Sequence, residues 1–369
     1  MIPSIEGFPP PKTLFSIEPP QSFSFTHPMN NLAPWWRKSA PSVLGLDLQS
    51  SGIRLVELSR AVSGDFQVQT CGSLPCAPGW MVQGHVHAFE EMAQGLRQLI
   101  QACGAASRDV VLGLPASCVM TRTIHVDPCA TDPEVLAAVQ AAVTRWLPDP
   151  VNDLIVDHCR LDAHDEAGQQ VLVAVSRRDP VQDRVGLAEA AGLRTLAVDL
   201  EVQASGLALT ALAQVSPRWQ ALSALALLEV ETEGAHLQWL ESGELLKEAD
   251  FTFPQTRHVG RPESVDEQQK VQALVQWTLA QLAAPSPLMA GPWPDARSDA
   301  WVDALVVAGS GSLLAQVAQG VRRECAVPVH VADPFELAAE DPRRQGATQT
   351  VPAASYLRAF GLAIHGTLQ

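Results

Sequence analysis

From Val43 onward the apolar and polar positions resolve into short strands and amphipathic helices. Segments 43–48 (VLGLDL), 53–58 (IRLVEL) and 66–71 (FQVQTC) are apolar or alternating and are separated by the turns QSSG and VSGD, which predicts three consecutive strands. Over 87–103, Phe89, Met92, Leu96, Leu99 and Cys103 recur at three- and four-residue steps, striping one helix face, and Gly104 stops it. Strand 109–114 (DVVLGL) follows. Helices are expected at 132–147, with Asp132 as N-cap, Pro133 in the first turn and Pro148 as stop, and at 180–191 behind Asp179-Pro180. Strands near 154–161 and 171–175 flank the turn HDEAG, and strand 194–199 leads into helix 201–214. Farther on come strand 303–308, the turn GSGS, helix 313–324, strand 327–331 and a last helix over about 353–365. Between Phe253 and Trp301 a single helix, 265–283, carries a stripe that includes Leu274, Val275, Thr278 and Leu282, and Pro/Gly-rich sequence surrounds it.

The pattern also echoes itself. Shifted by 182 residues, VLGLDLQSSGIRLVEL at 43–58 lies over LALLEVETEGAHLQWL at 225–240. Asp47 falls on Glu229, Gln49 on Glu231, Gly52 on Gly234 and Leu58 on Leu240. Each copy reads strand, turn, strand, turn, strand, so the chain is expected to hold two similar lobes. A length of 369 residues with 47% apolar residues suits two separate cores.

Charge narrows the partners. A formal charge of −15 argues against nucleic acid, whose phosphates need a basic surface. Seven cysteines, an odd number without paired CxxC spacing, read as thiols of a reducing compartment, and the cytoplasm is the expected location. No Gly-x-Ser-x-Gly elbow, HExxH or P-loop occurs. The first 41 residues hold nine prolines and no sustained periodicity, which predicts a disordered extension, with Met29 as a second candidate start.

Three turns carry candidate chemistry. A polyphosphate with magnesium needs a carboxylate for the hydrated metal, glycine for close backbone approach and small hydroxyl residues alongside. Asp47, Gln49, Ser50, Ser51 and Gly52 form the first turn, with Asp47 the candidate magnesium residue and Gln49 where glycine would admit a phosphate most closely. In the second, Glu229-Val230-Glu231, an acidic side chain takes that place. A unit charge at 4 Å from a phosphate charge is opposed by roughly 1 kcal/mol in water and about 4 kcal/mol at an effective dielectric near 20. The third, Gly309-Ser310-Gly311-Ser312, opens a helix as an adenosine-side turn would.

Order and motifs together resemble the PilM family of type IV pilus assembly, itself similar to the division protein FtsA. The resemblance spans about 42–369 and rests on GLDLQSSGIRLVEL, DVVLGLPASCVMTRTIHVD, WLPDPVNDLIVDH, VAVSRRDPVQDRVGLAEAAGLRTLAVDLE, VVAGSGSLLAQVAQGV and RAFGLAIHG. It implies an α/β, actin-like (ribonuclease H-like) two-lobed fold with an inserted FtsA/PilM-type subdomain and a reduced subdomain in the second lobe. The domains expected are a first lobe at 42–115 and 176–218, the insertion at 116–175, a second lobe at 219–253 and 301–369, and a reduced helical part at 254–300.

The resemblance further implies ATP and magnesium as cofactors. It matches Asp47, Ser50 and Ser51 to the first phosphate loop, Gly309 and Gly311 to the adenosine turn, and Asp199 and Glu201 to the segment connecting the lobes. The family's second loop is Asp-Ile-Gly-like, and Glu229-Val230-Glu231 departs from it; the base-contacting helix expected near 254–264 lacks a helical stripe. The expectation is therefore a scaffold with a degenerate nucleotide site that binds the cytoplasmic tail of a PilN-like inner-membrane protein. Other pilus inner-membrane and motor components, and self-association, are among the expected contacts. An ATP-dependent switch or weak ATPase, and an FtsA-like filament-forming protein, are the alternatives. The family's partner tail resembles Asn-Leu-Leu-Pro-Trp-Arg, and 31–37 read Asn-Leu-Ala-Pro-Trp-Trp-Arg, so the N-terminal arm is a further candidate occupant of the partner groove.

Overall fold

The computed structural model describes residues 42–61, 64–82, 84–147, 153–165, 168–216, 219, 222–241, 243–253, 267–284, 302–337 and 351–368. The N-terminal arm, the segment 254–264 and the PSPLMAGPWPD stretch lie outside them. The described chain forms two compact units. Unit 1 runs to Ala204 and takes up again at Leu362; unit 2 begins at Ser205 and includes the stretch up to Gly361.

Unit 1 starts with the three expected strands, β1 (Val43–Gln49), β2 (Gly52–Arg60) and β3 (Phe66–Pro75), as an antiparallel meander. A small ribbon of β4 (Met81–Val82) and β5 (His85–Val86) precedes α1 (Phe89–Cys103). Met92, Leu96 and Leu99 of the expected stripe are buried, and Gly104 caps the helix in the left-handed conformation with φ 66. Strand β6 (Asp109–Leu114) returns parallel to β1.

A three-stranded sheet and one helix follow: β7 (Val119–Val126), α2 (Asp132–Trp146), β8 (Leu154–Asp165) and β9 (Gly168–Arg177), in the order β7-β9-β8. Val135, Val139 and Val143 of α2 pack on Val171, Val173 and Val175 of β9, a small core of their own. Two details differ from the sequence reading. The N-cap of α2 is Thr131 rather than Asp132, because Thr131 and Glu134 form a reciprocal capping box. Strand β7 was not expected, since its residues are mostly half-buried or exposed and lack an apolar alternation.

Helix α3 (Arg178–Ala190) begins two residues before Pro180, and β10 (Arg194–Leu200) then pairs parallel to β6. The sheet order is β10-β6-β1-β2-β3. Leu44, Leu46, Leu112 and Val198 face α1 and α3 in one core, while Val43, Val111, Ala197, Ala204 and Leu362 form another cluster. The chain leaves unit 1 within α4 (Glu201–Val215).

Unit 2 repeats the scheme. Strands β11 (Ala224–Val230), β12 (Gly234–Glu241) and β13 (Glu244–Thr252) form a meander, α5 (Glu267–Ala283) packs on α6 (Leu314–Glu324), and β14 (Ala304–Gly309) and β15 (Val329–Val331) add in parallel. The order β13-β12-β11-β14-β15 repeats that of unit 1. The echo holds at the level of register: Val43 pairs with Leu58 and Asp47 with Arg54, and 182 residues later Leu225 pairs with Leu240 and Glu229 with His236. The last helix is a 3-10 turn, Ala353–Tyr356, followed by α7 (Leu357–Leu368).

The shared glycine of the echo has a packing cause. A Cβ on Gly52 would meet the carbonyl oxygen of Leu74 at 2.6 Å, and one on Gly234 would collide with the carbonyl of Phe251. In both sheets the second strand enters too close to the third for any side chain.

Candidate functional site

In unit 1 the first turn caps β1 and β2. Asp47 is fully buried on β1 and shares a sheet face with Arg54, its partner across the pair. Arg54 is itself 3% exposed. One of its Nη atoms donates to Gln49 Oε1 at 3.3 Å and to the carbonyl of Gly52 at 3.2 Å, the other to Ser51 Oγ at 3.2 Å. Gln49, the residue standing where a glycine was expected, therefore accepts from a guanidinium. Ser50 is half-buried at the tip of the turn. Beneath this turn, burial pushes the Cys76 thiol up to about 11, and the charge of Arg54 offsets only part of the rise.

Asp199, at the end of β10, accepts from the backbone N–H of Leu200 at 2.7 Å and pairs with His365 Nδ1 at 2.6 Å. Both side chains are nearly fully buried. The buried side chain of Glu201 packs over Gly113, where a Cβ would meet its Cγ at 2.9 Å.

In unit 2 the second and third turns come together. Glu229 is 1% exposed at the end of β11. Its Oε1 accepts from Ser205 Oγ at 2.8 Å and from Arg358 Nε at 2.9 Å, and its Oε2 from Gln238 at 3.5 Å. Glu231 meets the same arginine, with Nη1 at 3.2 Å from its Oε1, while its Oε2 accepts from Ser310 Oγ at 2.7 Å. Gly309, with φ 111, passes against the backbone of Val230, and Gly311 donates its N–H to the Val230 carbonyl at 2.9 Å. A Cβ at Gly311 would sit 3.1 Å from the carbonyls of Val230 and Glu231. The glycines of the third turn are thus explained by the second turn lying on top of them.

The structure therefore gathers Asp47, Gln49, Ser50 and Ser51 in unit 1 and Glu229, Glu231, Gly309, Ser310 and Gly311 in unit 2. Sequence reading missed Arg54 and Arg358. Arg358 is the one arginine in the apolar run LRAFGLAI, a signal that was available, whereas Arg54 shares its strand with Glu57 and Arg60.

Unit 1 also holds a cavity of about 280 Å³ where β7, β8 and β9 meet β5 and the start of α3. Val119, Met120, Leu147, Leu154 and Val175 supply its apolar wall, and His85, Ser117 and Arg177 line it as well. Fully buried Arg184 fixes the surroundings by donating to the carbonyls of Gly84 at 2.8 Å, Pro180 at 3.0 Å and Gly113 at 3.0 Å. Cys118 lines the cavity too, its thiol pushed up by burial and partly drawn back by the charge of Arg184. Among the described residues no helix is long and apolar enough to cross a membrane.

The family model described as "Type IV pilus assembly protein PilM" matches residues 45–254. A solved "PilM-PilN type IV pilus biogenesis complex" is similar at 23% identity over 90% of this chain and 99% of that one, with a TM-score of 0.69. A Bacteroides thetaiotaomicron protein with an actin-like ATPase fold and unknown function gives 9% identity, 85% and 97% coverage and a TM-score of 0.44. The ethanolamine utilization protein EutJ from Carboxydothermus hydrogenoformans gives 11%, 91% and 92%, and 0.45. With more than half of the chain under the family model and the duplicated sheet order in place, this protein belongs to the type IV pilus assembly protein PilM family and has its actin-like fold.

Proposed function

We propose that the protein is an adaptor of type IV pilus assembly: an actin-like scaffold that binds the cytoplasmic tail of a PilN-like inner-membrane protein and is recruited to the membrane through it. The cavity in unit 1 carries this reading. Its wall is set on strands, with Val175 in the core beneath, and Arg184 fixes the turn before His85. A preformed slot with an apolar wall on one part and His85, Ser117, Ser176 and Arg177 on another suits a short peptide bearing both an apolar or aromatic anchor and polar groups. The similar solved structure is a PilM-PilN complex, which supports the choice of partner.

ATP with magnesium is the cofactor that an actin-like ATPase fold implies. In unit 1, Asp47, Ser50 and Ser51 are the residues that would hold the metal and a phosphate. In unit 2 the donor set does not fit: Glu231 presents acceptors at the place where a polyphosphate needs close backbone approach and donors, and the guanidinium beside it is shared with Glu229. We therefore read the site as degenerate and the scaffold as working without turnover.

Fluorescence anisotropy of a labelled partner-tail peptide, titrated with the full chain with and without Mg-ATP, tests the adaptor reading. Equal binding in both conditions is expected, weakened about tenfold or more by Met120→Ala in the cavity wall. Absence of binding in either condition removes the partner assignment, and ATP-dependent binding turns the scaffold into a switch.

A further inference from the structure

Unit 2 contains its own counter-ion, and this sharpens the reading of a degenerate site without depending on the partner. Arg358 projects from α7 and reaches two carboxylates of one turn, Glu229 Oε1 at 2.9 Å and Glu231 Oε1 at 3.2 Å. The guanidinium is 11% exposed, Glu229 1% and Glu231 22%. Ser205 also donates to Glu229 Oε1, and the remaining oxygens are engaged as well, Glu229 Oε2 by Gln238 and Glu231 Oε2 by Ser310. Four places in the chain, at Ser205, Gln238, Ser310 and Arg358, thus converge on the end of β11.

We propose that Arg358 is a built-in substitute for a ligand in unit 2: it neutralises the acidic turn from within, and the closed network keeps phosphate out. Two observations meet here. The chemistry is inverted at Glu231, since a phosphate approaching it meets like charge, while the guanidinium of Arg358 is already shared between Glu231 and Glu229. The geometry is closed, since Ser310, the hydroxyl of the third turn, is spent on Glu231, and Gly309 and Gly311 are occupied by the backbone of Val230 and Glu231. Glu231, Gly309, Ser310 and Gly311 thus each have an internal use. Arg358 is thus a positioning residue, acting on the fold of the turn.

The test uses the full chain and reads melting temperature and nucleotide binding together. Arg358→Met keeps the bulk and removes the charge, leaving Glu229 buried beside neutral donors only. Tm is expected to fall by on the order of 10 °C, the scale for breaking a buried pair in a chain of this size. The double variant Glu229→Gln with Arg358→Met removes both charges and is expected to regain most of the loss, and it keeps the test alive if the single variant fails to fold. Millimolar Mg-ATP is expected to leave the wild-type Tm unmoved and to give no binding isotherm in calorimetry. Arg358→Met melting with the wild type overturns the proposal, as does any Mg-ATP-dependent rise in the wild-type Tm. Failure of the adaptor reading would show in the peptide titration and in neither of these measurements.

Discussion

The two sheets are one plan used twice, and they differ most where they are most alike. At matched positions unit 1 has Asp47 opposite Arg54, and unit 2 has Glu229 opposite His236. In unit 1 the cation of the turn comes from the neighbouring strand, and Arg54 binds Gln49, Ser51 and Gly52 within six residues of chain. In unit 2 the neighbouring strand offers His236, which is engaged instead by Asp250 at 2.6 Å on β13. The turn there draws its cation from Arg358, more than a hundred residues away in sequence. Duplication preserved the register and the glycine, both demanded by strand packing. It did not preserve the charge pattern, which the backbone does not constrain.

The largest effect expected from probing this comparison lies at the glycines. Gly234→Ala would drive a methyl into the Phe251 carbonyl and is expected to cost about 4 kcal/mol or more. Gly52→Ala, with its 2.6 Å approach to Leu74 and φ of 154, is expected to cost about 2–3 kcal/mol. Denaturant unfolding of both variants ranks them, and the reverse order would mean that the two meanders are not packed alike.

The cations come next. Arg54→Met strips three acceptors inside a buried turn and is expected to cost about 2 kcal/mol. His236→Gln is expected to cost less than about 1 kcal/mol, because Asp250 and Glu248 are 76% and 47% exposed and solvent screens the pairing. Equal costs in urea titrations would show that the matched strand positions still carry equal weight.

The smallest effect concerns the part of unit 1 that unit 2 lacks in the described residues. Thr131→Ala removes the capping box of α2 and is expected to lower Tm by about 2–4 °C near neutral pH. Backbone and side-chain hydrogen bonds from Thr131 hold the Glu134 carboxyl below its ordinary pKa. Its contribution is therefore complete above the ordinary carboxylate range and is lost as pH falls through the depressed value. The gap between wild type and variant should narrow on acidification, and a gap independent of pH would assign the effect to Thr131 alone.

Much of this was legible beforehand. The 182-residue echo could be read because strands with one register leave one spacing of apolar residues, and the spacing survived although few identities did. Helix α1 was legible through its stripe and Gly104. Strand β7 was not, since the edge of a small sheet, with half-exposed residues from Val119 to Val126, leaves no alternation to read. The three turns could be placed, but the arginines that bind two of them, Arg54 and Arg358, could not. Glu231 was read as an obstacle to phosphate, while the arginine it shares with Glu229, Arg358, lies more than a hundred residues on and could not be read. Asp199 was matched to a connecting segment, while its bond to His365 spans 166 residues. Long-range ion pairs have no period, and only a lone charge inside an apolar helix hints at them.

The three-body contact at the end of β11 also bears on how such a chain can change through descent. Replacing Glu231 by glycine would remove one acid from the turn while Arg358 still held Glu229. Losing Arg358 first would strand two acids, one of them buried. The order of changes therefore matters: loss of Glu231 leaves the buried pair intact, whereas loss of Arg358 breaks it. Arg358, Glu229 and Glu231 are thus tied to one another, and a change at the arginine is felt at both acids of the turn.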